Sequence, residues 1–146
     1  MNDAAAALEQ RIHAGIPLSR SVQFHIAELD GQSIRVAAPL APNINVHGTG
    51  FAGSLYALGI LTAWAMAAHL LQRAGLEAEL VVASATIRYR EPVTSDFECL
   101  CRAPATDAMA FIDRLRENGR SRIPLQVEIG TGPAAIIEAL MHARAA

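Results

Sequence analysis

Lysine is absent from the 146-residue sequence, so arginine supplies all 12 of its basic residues. Without lysine the chain cannot form a Schiff base with a carbonyl substrate, bind phosphate through a Walker-type lysine or use a lysine general base. The 14 acidic residues bring the net charge to −2, and the arginines are scattered rather than gathered into a basic stripe. We therefore expect no nucleic-acid partner.

Cysteine is scarce, since Cys99 and Cys101 are the only two. They lie two residues apart in a strand-like segment, so their side chains share a face without the geometry of a disulfide. Two cysteines also fall short of a zinc site, and we expect reduced thiols, no metal and a cytoplasmic location. A secretion signal is not expected either, because Met1 is followed by Asp3 and Glu9 rather than by a basic start and an apolar run.

Charged residues are missing from the whole segment between Val36 and Gln72. Inside it, the run from Phe51 to Leu71 is long enough to cross a bilayer if it is helical. This run contains more alanine, glycine, serine and threonine than leucine and isoleucine, and the rest of the chain predicts strands that need a helix to cover them. We therefore expect no membrane span but a helix surrounded by protein.

The remaining pattern predicts one α+β domain over residues 1–146. The strands are expected at 21–28, 33–38, 79–90, 96–102, 120–129 and 134–143. The helices are expected at 4–14 and 51–74, with a helix or another structured connection at 107–117. Because the long helix has no polar face, an antiparallel sheet curled round it is the economical arrangement.

Turn signals indicate how these elements connect. The Asp30-Gly31 pair is expected to join the first two strands, and Gly75 to cap the end of the long helix. A turn at 92–95 is expected to make 96–102 the partner of 79–90 in the sheet.

Several segments carry a resemblance that covers nearly the whole chain. They are Ile16-Pro17-Leu18, Pro42-Asn43-Ile44-Asn45, the string from His47 to Tyr56, Trp64, and the string from Ile87 to Val93. Through them the sequence resembles the hotdog-fold thioesterase superfamily, and most closely the thioesterase-like domain found alone or C-terminal to acetyltransferase domains in bacteria. The resemblance implies a hotdog fold, in which a curved antiparallel sheet wraps a long central helix.

The loop before the long helix carries the most specific part of this resemblance. Acyl-CoA thioesterases of this fold have an Asn-x-x-Gly-x-x-His-Gly-Gly signature here, and Asn45, Gly48 and Gly53 match it. Phe51 stands where those relatives carry histidine, and Ala52 replaces the first glycine of the pair. The family's catalytic chemistry therefore does not transfer directly.

A carboxylate is also missing from the helix position where many relatives place one, because this chain has Ile60 there. We hypothesise that Glu91, at the end of a strand and next to Pro92, replaces it at the helix N-terminus of the same or a neighbouring subunit. The alternative is that Glu91 is a solvated ion-pair partner of Arg88 or Arg90.

Thioester hydrolysis also needs donors for the developing oxyanion, and free backbone N–H groups at the start of the helix could supply them. Gly53 would let the substrate approach, or would let the helix pack against the sheet. Ser54 is expected to cap the helix or bond the substrate rather than act as a nucleophile, since it has no evident paired base. Asn45 would orient water or the carbonyl, or would form an Asx turn. The catalytic candidates are thus Asn45, Gly53, Ser54 and Glu91.

The expected substrate-binding residues lie in the same loop and in the first turns of the helix. They are His47, Gly48, Thr49, Phe51, Ala52 and Tyr56. For His47 the simpler alternative is hydrogen bonding within the loop. Small helix residues are expected to leave room for an apolar acyl chain, and exposed arginines to meet the phosphates of the substrate. These two groups are Ala57, Gly59 and Ala63, and Arg88, Arg90 and Arg122.

The resemblance implies a hydrolase acting on acyl-CoA or on an acyl-carrier protein, with no cofactor beyond the CoA or phosphopantetheine of the substrate. It also implies a homodimer or a dimer of dimers with the substrate at the interface, which would cover open sheet edges. Two alternatives stay open. A non-catalytic acyl-binding or regulatory module is favoured by Ile60, whereas a hydratase or dehydratase is disfavoured by Phe51 and Ile60 together.

Overall fold

A computed structural model describes residues 2–146. The helices are α1 (Asp3–Gly15), α2 (Leu18–Ser21), α3 (Ala52–Arg73) and α4 (Ala105–Asn118), with a short 3₁₀ turn at Ala41–Asn43. The strands are β1 (His25–Leu29), β2 (Ser33–Ala38), β3 (Ala78–Tyr89), β4 (Phe97–Arg102), β5 (Arg120–Ile129) and β6 (Ala135–Ala145). All six strands form one antiparallel sheet in the order β1-β2-β4-β5-β6-β3. The predicted α+β architecture is confirmed.

The central helix α3 lies against one face of this sheet and contacts β2 to β6. Strict alternation in the strands builds that face: along β5, every second residue from Ser121 to Ile129 is buried and most residues between them are exposed. The most apolar 18-residue window of α3 is 72% buried within the protein. The absence of charge in this segment therefore reflects a core helix, as predicted.

Close packing of α3 against the sheet depends on Gly59, which is buried. A Cβ atom at this position would overlap the Cδ1 atom of Ile137 and lie 2.9 Å from Cδ1 of Ile129. The expectation that Gly59 leaves room for an acyl chain is therefore wrong, because two isoleucine side chains fill that space. Ala63, which is fully buried in the core, likewise offers no open surface.

The C-terminus of α3 ends as the sequence predicts. Gly75 has a φ of +68°, and its N–H donates to the Gln72 carbonyl at 3.1 Å, while the Leu76 N–H donates to the Leu71 carbonyl at 3.0 Å. This pair of bonds is a Schellman motif, in which a glycine adopts the left-handed conformation at no steric penalty. The motif reverses the chain so that β3 runs back along α3.

The predicted pairing of 79–90 with 96–102 is wrong. β3 pairs with β6 at one edge of the sheet, whereas β4 lies between β2 and β5. The segment between β3 and β4 is tied elsewhere: the Gly50 N–H donates to the Val93 carbonyl at 2.8 Å, and the Leu40 N–H donates to the Asp96 carboxylate at 2.8 Å. These bonds hold the segment as a crossover rather than as a hairpin turn.

The first strand also begins later than predicted, because residues 18–21 form the helical turn α2 and β1 starts at His25. Its hairpin with β2 is confirmed, and Asp30 accepts bonds from the N–H groups of Gln32 and Ser33 in the turn, both at 2.8 Å. The predicted helix at 4–14 and the structured connection at 107–117 are confirmed as α1 and α4.

Candidate active site

The loop between the 3₁₀ turn and α3 is organised by the side chain of Asn45. Its Oδ1 accepts bonds from the N–H groups of His47 at 2.8 Å and Thr49 at 3.2 Å, and its Nδ2 donates to Thr49 Oγ1 at 2.9 Å and to the Gly50 carbonyl at 3.3 Å. This is the Asx-turn alternative that the sequence left open. A catalytic role for Asn45 stays a prediction. In that role its amide would give up some of these loop hydrogen bonds and form bonds to the substrate or to water instead.

The N-terminus of α3 has no side-chain cap, since the N-cap residue is Phe51. The first helical bond is donated by the Leu55 N–H to the Phe51 carbonyl at 3.0 Å. Within residues 2–146 the preceding N–H groups, those of Ala52, Gly53 and Ser54, have no hydrogen-bond acceptor. Three oriented donors at the positive end of a 22-residue helix form a ready site for a partly negative oxygen.

Gly53 sits directly beneath the ring of Phe51. A Cβ atom at Gly53 would lie 2.5 Å from the Phe51 Cε2 atom and 2.9 Å from its Cζ atom. Gly53 is exposed, so it does not serve the packing of the helix against the sheet. The aromatic ring that stands in place of the relatives' histidine thus lies against Gly53 in the first turn of α3, and the glycine makes space for it.

Sequence reasoning did not identify Tyr89, which the structure places at the same helix terminus. Its hydroxyl donates to the Ala52 carbonyl at 2.9 Å. Partial burial, and next the neighbouring Tyr56, raise the pKa of the Tyr89 phenol above its usual value. The chain reversal was a usable signal: α3 is about 33 Å long and β3 about 40 Å, so the end of β3 returns to the start of α3.

Glu91 follows β3 and lies between two residues that contact the site, because Tyr89 reaches α3 and Val93 bonds the loop. The Glu91 carboxylate forms no ion pair or side-chain hydrogen bond within residues 2–146. It is exposed and faces the turn at Gly132, where an added Cβ would lie 3.2 Å from its Oε2 atom. The structure brings the Glu91 backbone to the site without directing its carboxylate at the helix N-terminus.

The other predicted site residues lie around these groups. His47 is exposed, and only its backbone N–H bonds to the loop; Gly48 takes a φ of +78° at the loop tip. Ser54 is half-buried and does not cap α3, so the capping alternative is wrong.

No group of three or more His, Cys, Asp or Glu side chains in the described part of the chain is placed to hold a metal ion.

A half-buried apolar stripe runs along α3 from the site. Tyr56, Ile60 and Trp64 recur every fourth residue and are partly exposed, whereas the core-facing residues of α3 are buried. On β3, the residues packed against this side of the core are also only partly buried. They are Leu80, Val82, Ala85 and Ile87. The open edge of β3 leaves this stripe accessible.

The three arginines predicted to meet phosphate are exposed, but Arg122 lies apart from Arg88 and Arg90. Arg88 is opposite Ile136 of β6 and Arg122 is opposite His142, a separation of about 20 Å along the strand. A surface depression of about 650 Å³ includes Pro124, Gln126 and Glu128 of β5 and contains none of the predicted site residues. We assign the candidate site to the α3 terminus, where the free donors are, rather than to this depression.

Comparison with known proteins agrees with this geometry. The family described as "Putative thioesterase (yiiD_Cterm)" matches residues 5–139. The chain belongs to this thioesterase family. A structure described as that of the "putative thioesterase from Shewanella oneidensis" is 33% identical over 99% of both chains, with a TM-score of 0.90.

Two further solved structures are similar to this chain. A Chlorobaculum tepidum protein of unknown function is 26% identical, over 97% of this chain and 94% of its own, with a TM-score of 0.92. A Pseudomonas aeruginosa protein described as a "Probable Thioesterase" is 21% identical, over 97% and 95%, with a TM-score of 0.82, and supports the fold alone. The resemblance to the hotdog thioesterases and the hotdog fold are both confirmed.

Proposed function

We propose that this protein hydrolyses an acyl thioester of CoA or of an acyl-carrier protein at the N-terminus of α3. One observation carries the proposal: the N–H groups of Ala52, Gly53 and Ser54 are unpartnered at the start of a helix whose apolar stripe is open. Donors at one end and an apolar surface beyond them match a thioester carbonyl followed by an acyl chain. Membership of a thioesterase family supports the substrate class.

In the proposed reaction the thioester oxygen accepts bonds from these N–H groups. Water adds to the carbonyl carbon, the oxygen becomes negatively charged, and the N–H groups and the helix dipole stabilise that charge. The carbon–sulfur bond then breaks, the sulfur takes up a proton, and a carboxylic acid and a free thiol leave. Losing one such donor typically lowers kcat by about 10²–10³-fold.

Glu91 is the proposed general base, which takes a proton from water and returns it to the sulfur. Its freedom from ion pairs and its place between Tyr89 and Val93, which both contact the site, favour this role. The role requires the Glu91 side chain to turn from Gly132 toward the N-terminus of α3, in the same or a neighbouring subunit. We expect Glu91→Gln to lower kcat by about 10²–10⁴-fold, the usual contribution of a general base. Glu117→Gln, on the exposed side of α4, is the matched control.

The test is the release of free thiol from acyl-CoA and acyl-carrier-protein thioesters by the purified protein. Turnover that falls in Glu91→Gln and not in Glu117→Gln supports both the activity and the base. Turnover that Glu91→Gln leaves intact removes Glu91 from the mechanism, and no turnover with any thioester refutes the hydrolase.

A non-catalytic acyl-binding module is the second candidate function. Ile60 at the family's acid position favours it, and so does the engagement of the Asn45 amide within its own loop. Calorimetric binding of acyl-CoA without thiol release would establish this alternative.

The oligomeric state belongs to the same proposal. β3 is a 12-residue edge strand, and an edge of that length can pair with another chain. We propose a homodimer in which two β3 edges pair and so cover the open stripe of α3. A sedimentation measurement that gives only monomer at working concentrations would refute it. The cytoplasmic location stays a prediction.

A further inference from the structure

The apolar stripe of α3 ends at a side chain that is held from two sides. The Trp64 indole N–H donates to the Leu80 carbonyl of β3 at 3.0 Å. The Arg11 guanidinium of α1 lies over the same indole ring, 5.6 Å from its centroid. A bond to β3 and a cation–π contact from α1 fix the ring across the path between the helix and the strand.

Unfilled space lies beyond this ring. A depression of about 500 Å³ includes Arg11 and Leu80, the two partners of the indole, together with Ala68, Leu71 and Leu76. Polar side chains line it as well, those of Gln72, Glu77 and Glu79. Ala68 is four residues after Trp64, so it continues the direction of the Tyr56–Ile60–Trp64 stripe. Trp64 therefore stands between the open stripe and a second, partly apolar space.

From these contacts we propose that Trp64 is the floor of the acyl-chain site and sets the longest acyl chain that the site accepts. This inference rests on the proposed function. The occupant is a straight, uncharged hydrocarbon chain, because the path starts at the free donors of α3 and then follows partly buried apolar side chains of α3 and β3.

The length limit follows from the helix geometry. Trp64 lies ten residues beyond Ser54, a distance of about 15 Å at about 1.5 Å per residue. An extended chain with carbon–carbon bonds of about 1.5 Å and tetrahedral angles advances about 1.25 Å per carbon. A chain held at the α3 N-terminus therefore reaches the indole at about twelve carbons.

Changes at two positions of the stripe should move the limit in opposite directions. Trp64→Ala opens the way to the depression at Ala68, about 6 Å or five carbons farther. Because each buried methylene changes affinity about fourfold, the ratio of kcat/KM for hexadecanoyl-CoA over octanoyl-CoA should rise by about tenfold or more. Ile60→Phe blocks the path one turn earlier and should lower the ratio for dodecanoyl-CoA over butanoyl-CoA by about tenfold. Met109→Ala, an exposed apolar truncation on α4, is the control and should change neither ratio.

The measurement is kcat/KM for thiol release by the 146-residue protein with butanoyl-, octanoyl-, dodecanoyl- and hexadecanoyl-CoA. Ratios of kcat/KM that shift as stated support the proposal that Trp64 is the floor of the acyl-chain site. Ratios that stay within about threefold of the unmodified protein in both stripe variants overturn it. Ile60→Phe keeps the test valid if Trp64→Ala does not fold.

A second readout separates this inference from the hydrolase proposal. Trp64 is the only tryptophan, so its fluorescence reports the floor directly. If no acyl-CoA or acyl-carrier-protein thioester is hydrolysed, a saturable change of emission with dodecanoyl-CoA and none with CoA retains the floor while refuting the hydrolase. Binding of dodecanoyl-CoA by calorimetry with unchanged emission overturns the floor, and neither binding nor hydrolysis of any acyl-CoA or acyl-carrier-protein thioester overturns both proposals.

Discussion

Gly59→Ala tests whether α3 touches the sheet as closely as the structure shows. The new Cβ would overlap Ile137 Cδ1 and lie 2.9 Å from Ile129 Cδ1, and both isoleucines are fully buried. Overpacking of a filled core destabilises by about 1–3 kcal/mol. Replacing a helical glycine by alanine stabilises by about 1 kcal/mol. We therefore expect a net loss of about 0–2 kcal/mol in the free energy of unfolding.

Two further variants make this expectation sharper. Gly15→Ala changes a helical glycine that has nothing within 4 Å of its Cβ position, so it should only stabilise, by up to about 1 kcal/mol. Ile137→Val removes the overlapping Cδ1 atom and by itself costs about 0.5–1.5 kcal/mol. In the Ile137→Val background, Gly59→Ala should be neutral or stabilising.

Urea unfolding measures these changes in the free energy of unfolding. It is applied to the unmodified protein, the three single variants and the double variant that combines Gly59→Ala with Ile137→Val. We expect a favourable coupling of about 1 kcal/mol or more between positions 59 and 137, because the two side chains compete for one space. If Gly59→Ala stabilises as much as Gly15→Ala, and no coupling is found, then α3 does not pack here as described. The space beside Gly59 would then be open to an acyl chain after all.

Three other predictions follow from the site and the core. Gly53→Ala should leave the free energy of unfolding unchanged or raise it, yet lower the rate of thiol release by about tenfold or more. The reason is that the new Cβ forces the Phe51 ring to move, and the moved ring covers the N–H donors. Burial, and next Arg73, lower the pKa of His69. Its neutral form therefore contributes stability that is complete above pH 6.5 and is lost as the pH falls through the lowered pKa. In His69→Gln the free energy of unfolding, measured with urea, should therefore depend less on pH over that range. Burial raises the pKa of Cys99 and of Cys101 to about 12, so neither thiol should react with a thiol reagent at neutral pH before unfolding.

Local signals in the sequence were sufficient for most of the elements, but not for α2, the start of β1 or all of the strand pairing. Gly75 and the charge-free run locate α3 because a helix stop and an all-apolar helix surface are properties of short segments. The pairing of β3 with β6 joins residues far apart in sequence, and no local pattern encodes it. The turn signal at 92–95 was real, but bonds to Leu40 and Gly50 use that segment as a crossover.

At the candidate site, too, local sequence signals predicted some features, and others depend on how distant segments pack together. The free donors at the start of α3 could be predicted, because the first turn of a helix leaves its backbone N–H groups without helical partners. Tyr89 was missed, since its place depends on how far β3 runs back along α3. Gly59 was misinterpreted because a small residue indicates space only when its neighbours leave that space empty, and Ile129 and Ile137 do not.

In the proposed mechanism the backbone N–H groups of Ala52, Gly53 and Ser54 hold the thioester oxygen. The most direct test is an NMR titration of the isotope-labelled protein with a ketone analogue of an acyl-CoA, in which a methylene group replaces the thioester sulfur. We predict saturable downfield shifts of these three amide protons, while the amide of Met109 on α4 stays unchanged. Saturable binding of the analogue with these three signals unmoved would show that these N–H groups do not hold the thioester oxygen.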